Sequence, residues 1–180
     1  MVSKCPKTNR AKLLAIREQL KKYGDIPKKE VMKATRPTTA KQWECICDSK
    51  GKVLSAGRVE KTDWYLWTTK NLFTTPEARN KGLANRVVKK LHMKAIKQGA
   101  HVIKGDITSS NLPSKLTNQK LGMKTVATFK YSNKKPPADI VMKVVDAPSK
   151  KEIQKINERL KNQMKAKGKI APKSILAKKI

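Results

Sequence analysis

Acidic side chains are scarce in this sequence. Only 13 Asp and Glu stand against 43 Lys and Arg, which leaves a formal net charge of +30 over 180 residues. A compact chain with that excess repels itself and calls for a polyanion to offset it. Lys-rich thermophile surfaces balance Lys with Glu, and this chain does not. Cysteine and histidine are also few. Cys5, Cys45 and Cys47 make an odd count, and the C-x-C pair would point one way on a strand. No second cysteine pair or nearby His completes a metal set, so the expectation is no metal, with thiols in a reducing compartment rather than a disulfide frame. No apolar run approaches the roughly 18 residues of a membrane span, and no signal peptide opens the chain. The expected location is cytoplasmic, with no membrane partner.

What is present bounds the architecture. Apolar residues make up 38%, enough for one well-cored domain with appendages. The positive charge is spread, with net +8 in residues 1–40, +13 in 41–146 and +9 in 147–180. A lone basic tail would read as a targeting segment. Charge in all three parts reads as a protein that faces nucleic acid or ribonucleoprotein, or one packaged beside it.

Leu13, Leu14, Ile16 and Leu20 recur at helical spacing before Gly24, and a short helix is expected from Pro27 to Ala34. A Thr/Pro break follows at 35–39. Strands are expected at 43–47, at 53–59 after the turn Asp48-Ser49-Lys50-Gly51, and at 64–74. An amphipathic helix from Leu83 to Gln98 presents Leu83, Val87, Val88, Leu91 and Ile96. A buried strand from His101 to Ile107, a short helix from Pro113 to Lys120, and paired strands at 123–131 and 139–145 complete the core. Beyond Asp146, a basic helix with Ile153, Ile156, Leu160 and Met164 on one face is expected. It would dock on the domain or on an acidic protein partner through 147–180, or stay a solvated tail that orders on binding. The division is then 1–36 for N-terminal helices, 37–146 for the core and 147–180 for a basic extension. Together these elements read as an α/β (α+β) fold, a mixed central sheet flanked by helices.

Residues 72–98 form a strand–loop–helix unit. Backbone amides converging on a helix start lack helical partners, and the helix dipole adds positive charge, so the turn is an anion cradle. Gly82 and Ala84 keep bulk away from the main chain, while Arg79, Lys81 and Arg86 supply counter-charge. The stretch Pro76-Glu77-Ala78-Arg79-Asn80-Lys81-Gly82-Leu83-Ala84 resembles the coenzyme A pyrophosphate loop of the GNAT (GCN5-related N-acetyltransferase) superfamily. Arg79, Gly82 and Ala84 fill its Arg/Gln, Gly and Gly/Ala places. Further on, Asp106, Asn111, Ser114, Lys120, Gly122 and Met123 match the spacing of the family's second motif.

The resemblance implies a GNAT fold with a mostly antiparallel sheet, and acetyl-CoA as co-substrate. It implies that Leu72, Phe73 and Thr74 belong to a splayed strand whose backbone pairs with the pantetheine arm. Cofactor contacts would come from Arg79, Asn80, Lys81, Gly82, Leu83 and Ala84, with Asn111 and Lys120 from the second motif. Asn80 stands where the family often has Gly, and Asn tolerates left-handed backbone. Asn118 stands where many members place a Tyr that protonates the leaving thiolate, and Asn is no acid near neutral pH. Glu60, Asp63 and His101 are the candidates for a base, and Tyr131 is a candidate for the missing acid. Trp43, Trp64, Tyr65 and Trp67 read as packing rather than base-stacking, with Trp64 or Trp67 lining the acceptor cleft. Two functions follow. One is acetyl-CoA-dependent N-acyl transfer to an amine on or near nucleic acid, and the other a silent GNAT-fold structural protein, such as an internal phage virion component.

Overall fold

A computed structural model of the chain describes residues 5–24, 26–130, 136–145, 151, 154, 155, 157–159 and 162. The elements are α1 (Asn9–Tyr23), α2 (Lys28–Ala34), β1 (Trp43–Cys47), β2 (Val53–Lys61), β3 (Leu66–Thr74), α3 (Leu83–Lys97), β4 (Val102–Thr108), α4 (Leu112–Lys120), β5 (Lys124–Phe129) and β6 (Ala138–Val144). The six strands form one sheet in the order β1-β2-β3-β4-β6-β5. The chain divides into two compact units, Met1–Glu60 with Thr68–Ala95, and Lys61–Trp67 with Ile96–Ile180.

In the first unit, Thr8 caps α1 by accepting from the Ala11 amide at 3.2 Å, satisfying one orphan donor of the first turn. Leu13, Ile16 and Leu20 face the core, whereas Leu14 is exposed because it falls one position off the buried stripe. Arg17 binds the end of α2, its Nε donating to Thr35 Oγ1 at 2.9 Å and its Nη2 to the Thr35 carbonyl at 3.0 Å. The Thr/Pro break is a short 3-10 helix over Pro37–Gln42, and the first described strand comes only after it. β1 and β2 pair antiparallel, with Trp43 opposite Arg58 and Glu44 opposite Gly57. Their turn closes on Asp48, whose Oδ1 accepts from the Lys50 and Lys52 amides at 2.9 Å each. The core gathers Leu13, Ile16, Leu20, Val31, Trp43, Val53, Ala56 and Phe73, and Trp43 Nε1 donates to the Ala34 carbonyl at 2.9 Å. On α3 the buried face is Leu83, Val87, Val88, Leu91, His92 and Ala95. Ile96, expected on that face, is 46% exposed. The helical period returns at Leu91 plus four, which is Ala95.

The cysteine expectation is overturned. Cys5 and Cys47 form a disulfide across 42 residues of sequence, and Cys45 is the free thiol. The helices that precede β1 bring Cys5 back to it, which is a long-range fact that cysteine spacing does not carry.

In the second unit β6 lies between β4 and β5, antiparallel to both. Lys124 faces Met142, as the expected late strand pairing requires, and β4 adds to the other side of β6, with Val102 facing Val144 and Thr108 facing Ala138. The segment from Thr62 to Leu66 is a tight turn, in which the Thr62 and Asp63 amides donate to the Leu66 carbonyl at 2.8 and 3.1 Å. That turn starts β3 two residues later than expected. Just ahead of β3, the Tyr65 carbonyl accepts from the His101 and Val102 amides at 3.1 and 2.9 Å, which joins this end to β4. Tyr65, Leu66, Val102, Phe129, Ile140 and Met142 make the core. Buried Asp139 accepts from Ser109 Oγ and Thr128 Oγ1 at 2.8 Å each and pairs with Lys115 at 2.7 Å. The expected basic helix with Ile153, Ile156, Leu160 and Met164 has that apolar face outside the described residues. The described positions from 151 to 162 are helical, and Arg159 pairs with Asp63 at 2.7 Å.

Candidate functional site

The first unit carries the strand–loop–helix cradle, and its shape starts at Asn71. This residue has φ of +55° in the middle of β3, a left-handed step that interrupts a regular strand. Arg58 from β2 holds it: Nε donates to Asn71 Oδ1 at 2.7 Å, while Nη1 donates to Gln42 Oε1 at 2.8 Å and Glu60 Oε2 at 2.7 Å. The next three residues, Leu72, Phe73 and Thr74, are the ones expected to offer backbone to a ligand. Ser55 secures them on the β2 side, its Oγ donating to the Phe73 carbonyl at 2.9 Å and lying 3.0 Å from Thr74 Oγ1. The Thr75 amide donates to the Leu54 carbonyl at 2.8 Å.

From Pro76 to Ala78 the chain makes one 3-10 turn. Asn80 and Gly82 follow with φ of +60° and +68°, so Asn80 adopts the left-handed backbone expected of it. A Cβ built on Gly82 meets nothing within 4 Å, so the main chain there opens onto free space. The first hydrogen bond of α3 runs from the Arg86 amide to the Gly82 carbonyl at 3.2 Å. The amides of Leu83, Ala84 and Asn85 precede it and have no partner within the helix. Arg79, Lys81 and Arg86 are exposed and make no ion pair among the described residues. Asn85 Oδ1 is buried and has no hydrogen-bond partner among the described residues. Open space at Gly82, three amides without a partner inside the helix and three cations without an ion pair among the described residues could hold a diphosphate.

Gly57 on β2 lets this unit close. A Cβ there would stand 3.1 Å from Leu91 Cδ1 on α3 and 3.2 Å from Leu72 Cδ1 on β3. The sequence signal was an isolated Gly inside a strand pattern, the mark of close approach.

Glu60, a candidate base, is held by Arg58 and Lys70. Burial pushes its carboxyl up, but the Lys70 and Arg58 contacts outweigh that and hold it below its ordinary value. A carboxylate clamped by two cations is a poor proton acceptor.

The second unit holds the remaining candidates. Asn111 caps α4, its side chain accepting from the Ser114 amide at 3.2 Å. Asn118 is buried, and its Nδ2 donates to the Ser114 carbonyl at 2.8 Å, which ties the amide to its own helix through one of its two N–H groups. Lys120 is exposed in the last turn of α4, and Gly122 follows with φ of +78°. Asp106 pairs with Lys104 at 3.0 Å. Tyr131 lies outside the described residues.

Near the start of β3, Trp64 is 43% exposed and meets His101 edge-on at 5.8 Å and Tyr65 at 5.1 Å between ring centres. Trp67 and Tyr65 are buried, and in the first unit so is Trp43; packing is therefore their main role. Sequence reading did not single out the Tyr65 hydroxyl, which is buried and has no hydrogen-bond partner among the described residues. Burial, with Asp63 adding, pushes that phenol up to about 12.

No family model matches the chain, and no curated protein matches it by sequence. Solved structures do match by shape. The ribosomal-protein-S18-alanine N-acetyltransferase of Escherichia coli is 13% identical with a TM-score of 0.63, covering 83% of this chain and 96% of its own. A chain of the NatC complex bound to Gag peptide and CoA gives 10%, 0.64, 74% and 90% in the same order. A GCN5-related N-acetyltransferase from Kribbella flavida gives 13%, 0.57, 74% and 89%. Strand order, helix placement and these likenesses agree: the chain has the GNAT fold, a mostly antiparallel six-stranded sheet flanked by helices.

Proposed function

We propose that the protein is an acetyl-CoA-dependent N-acyltransferase whose acceptor amine lies on or near nucleic acid. The observation that carries the reading is the open cradle at 79–85, with Gly82 facing free space and Arg79, Lys81 and Arg86 without an ion pair among the described residues. A fold used only as a scaffold has no physical need for that conjunction. Bound there, acetyl-CoA would supply an acetyl group already activated as a thioester.

The chain's own residues then do three things. The α3 amides, with Arg79, Lys81 and Arg86, hold the diphosphate. The Arg58–Asn71 contact sets the backbone of Leu72, Phe73 and Thr74 for the rest of the ligand. Backbone amides near Thr74 would donate to charge developing on the acetyl oxygen. Positioning is asked to supply most of the rate, since Asn118 is no acid and Glu60 is clamped. The acceptor reading draws on the net charge of +30. An amine of a ribosomal or nucleoid protein, of tRNA or of DNA would be drawn to this surface. The basic 147–180 segment would add an acidic partner or nucleic acid.

The clamped Glu60 and the helix-bound Asn118 also favour a second reading, a silent GNAT-fold protein that binds nucleic acid, as inside a phage virion. Calorimetric titration separates the two. Acetyl-CoA, desulfo-CoA and ATP are titrated into nucleic-acid-free protein, ATP because so basic a chain attracts any polyphosphate. Micromolar binding that prefers acetyl-CoA to ATP is the expected result. Affinity no better than for ATP would leave the scaffold reading in its place.

A further inference from the structure

We propose that Cys5, Cys45 and Cys47 form a three-thiolate site for a thiophilic d10 cation, zinc(II) or copper(I), which becomes available when the Cys5–Cys47 disulfide is reduced. The three sulfur atoms all lie within 4.8 Å of one another. A metal bound at about 2.3 Å from each thiolate spaces its sulfurs about 4 Å apart, so small side-chain rotations close the set. Cys47 is 1% exposed in the core of the first unit, while Cys5 and Cys45 are partly exposed, which leaves an entry path and room for a solvent ligand. A disulfide clip needs two cysteines, and it gives no reason for a third sulfur packed against it.

Three thiolates around zinc(II) carry a net charge of −1, and around copper(I) −2. Burial pushes the Cys45 thiol above its ordinary value, and Lys12, Lys90 and Lys94 offset this only in part, so the metal–sulfur bonds themselves have to drive the loss of the thiol protons. The chemistry balances as follows. An external dithiol gives the disulfide two electrons and two protons and leaves as its own disulfide. The cation then displaces three protons, one from each thiol, and forms three metal–sulfur bonds. The site is independent of the acyl-transfer reading.

Full-length protein is reduced with a phosphine, freed of reductant without air, and titrated with zinc(II) against a chromophoric chelator. A parallel series uses copper(I) supplied as its acetonitrile complex. One equivalent should bind with sub-micromolar affinity, and alkylation followed by mass spectrometry should find Cys5, Cys45 and Cys47 all protected by metal and all labelled without it. The oxidised protein should bind none. Cys45→Ser keeps the disulfide pair and should weaken binding by roughly a hundredfold, a third thiolate being worth that much. Protection by copper(I) alone assigns the softer ion. Protection by neither ion, metal bound while Cys45 remains alkylated, or undiminished affinity in Cys45→Ser would each overturn the proposal. The protection pattern is read in the wild-type chain, so it stands even if the variant fails to fold.

Discussion

At the scale of single residues, Gly82 decides most. Its φ of +68° is strained for any side chain, yet the space around a Cβ there is open. Gly82→Val should therefore cost roughly 1–2 kcal/mol of stability through the backbone. It should cost acetyl-CoA affinity about tenfold or more, because the branched side chain fills the space the diphosphate needs. Urea unfolding and calorimetry on the same sample separate the two effects. Unchanged affinity in a folded variant would refute the site assignment. Gly82 and Asn80 were legible because a Gly or Asn just ahead of a helical pattern advertises left-handed backbone. Asn71 was not legible: nothing in Thr69-Lys70-Asn71-Leu72 distinguishes a left-handed step from ordinary strand. Its cause is Arg58, 13 residues away on the neighbouring strand.

At the scale of elements, that same contact is a device for shaping β3. Arg58 is 13% exposed and shared among Asn71, Gln42 and Glu60. Arg58→Ala should destabilise the protein by about 2–3 kcal/mol, since it strands Asn71 and half-releases Glu60. Among variants that still fold, acetyl-CoA affinity should fall while attraction to polyanions changes little. Arg58→Lys keeps the charge but not the fork and should rescue poorly. Equal losses for both ligands would mean that Arg58 acts only as surface charge.

Strand pairing offers a second element-scale prediction, through Asp139 on β6. The Lys115 contact, opposed by burial and helped by Thr128 and Ser109, holds its carboxyl below the ordinary range. The unfolded chain then takes up a proton at a higher pH than the folded one does. The stabilisation is complete above the ordinary value of about 4 and is lost as pH falls through the lower folded value. Urea midpoints should drop below about pH 4. Asp139→Asn should lower stability at pH 7 by about 1–3 kcal/mol and flatten that acid limb. The helices, the late hairpin and the strand–loop–helix unit were readable from hydrophobic period and turn residues. The Cys5–Cys47 bond and the Asp139 cluster were not, because each joins positions that sequence distance separates.

At the scale of the whole molecule, two kinds of anion recognition should separate by their response to salt. The cradle at 79–85 offers three cations and a set of directed amides to one small ligand. The remaining basic side chains of a +30 molecule offer a diffuse field. A polyanion that spans many of them releases many counterions, so its affinity should fall by roughly 10³-fold or more between 50 and 200 mM salt. Acetyl-CoA releases few, and hydrogen bonds to fixed amides are not screened away, so its affinity should change far less over the same range. Fluorescence anisotropy with a labelled duplex and calorimetry with acetyl-CoA, run side by side across that range, test the contrast. Equal steepness would reduce the cradle to one more patch of positive charge and remove the basis for an acyl-CoA site. A flat response for the duplex would take nucleic acid away as the partner, and the charge would then have to be answered by an acidic protein.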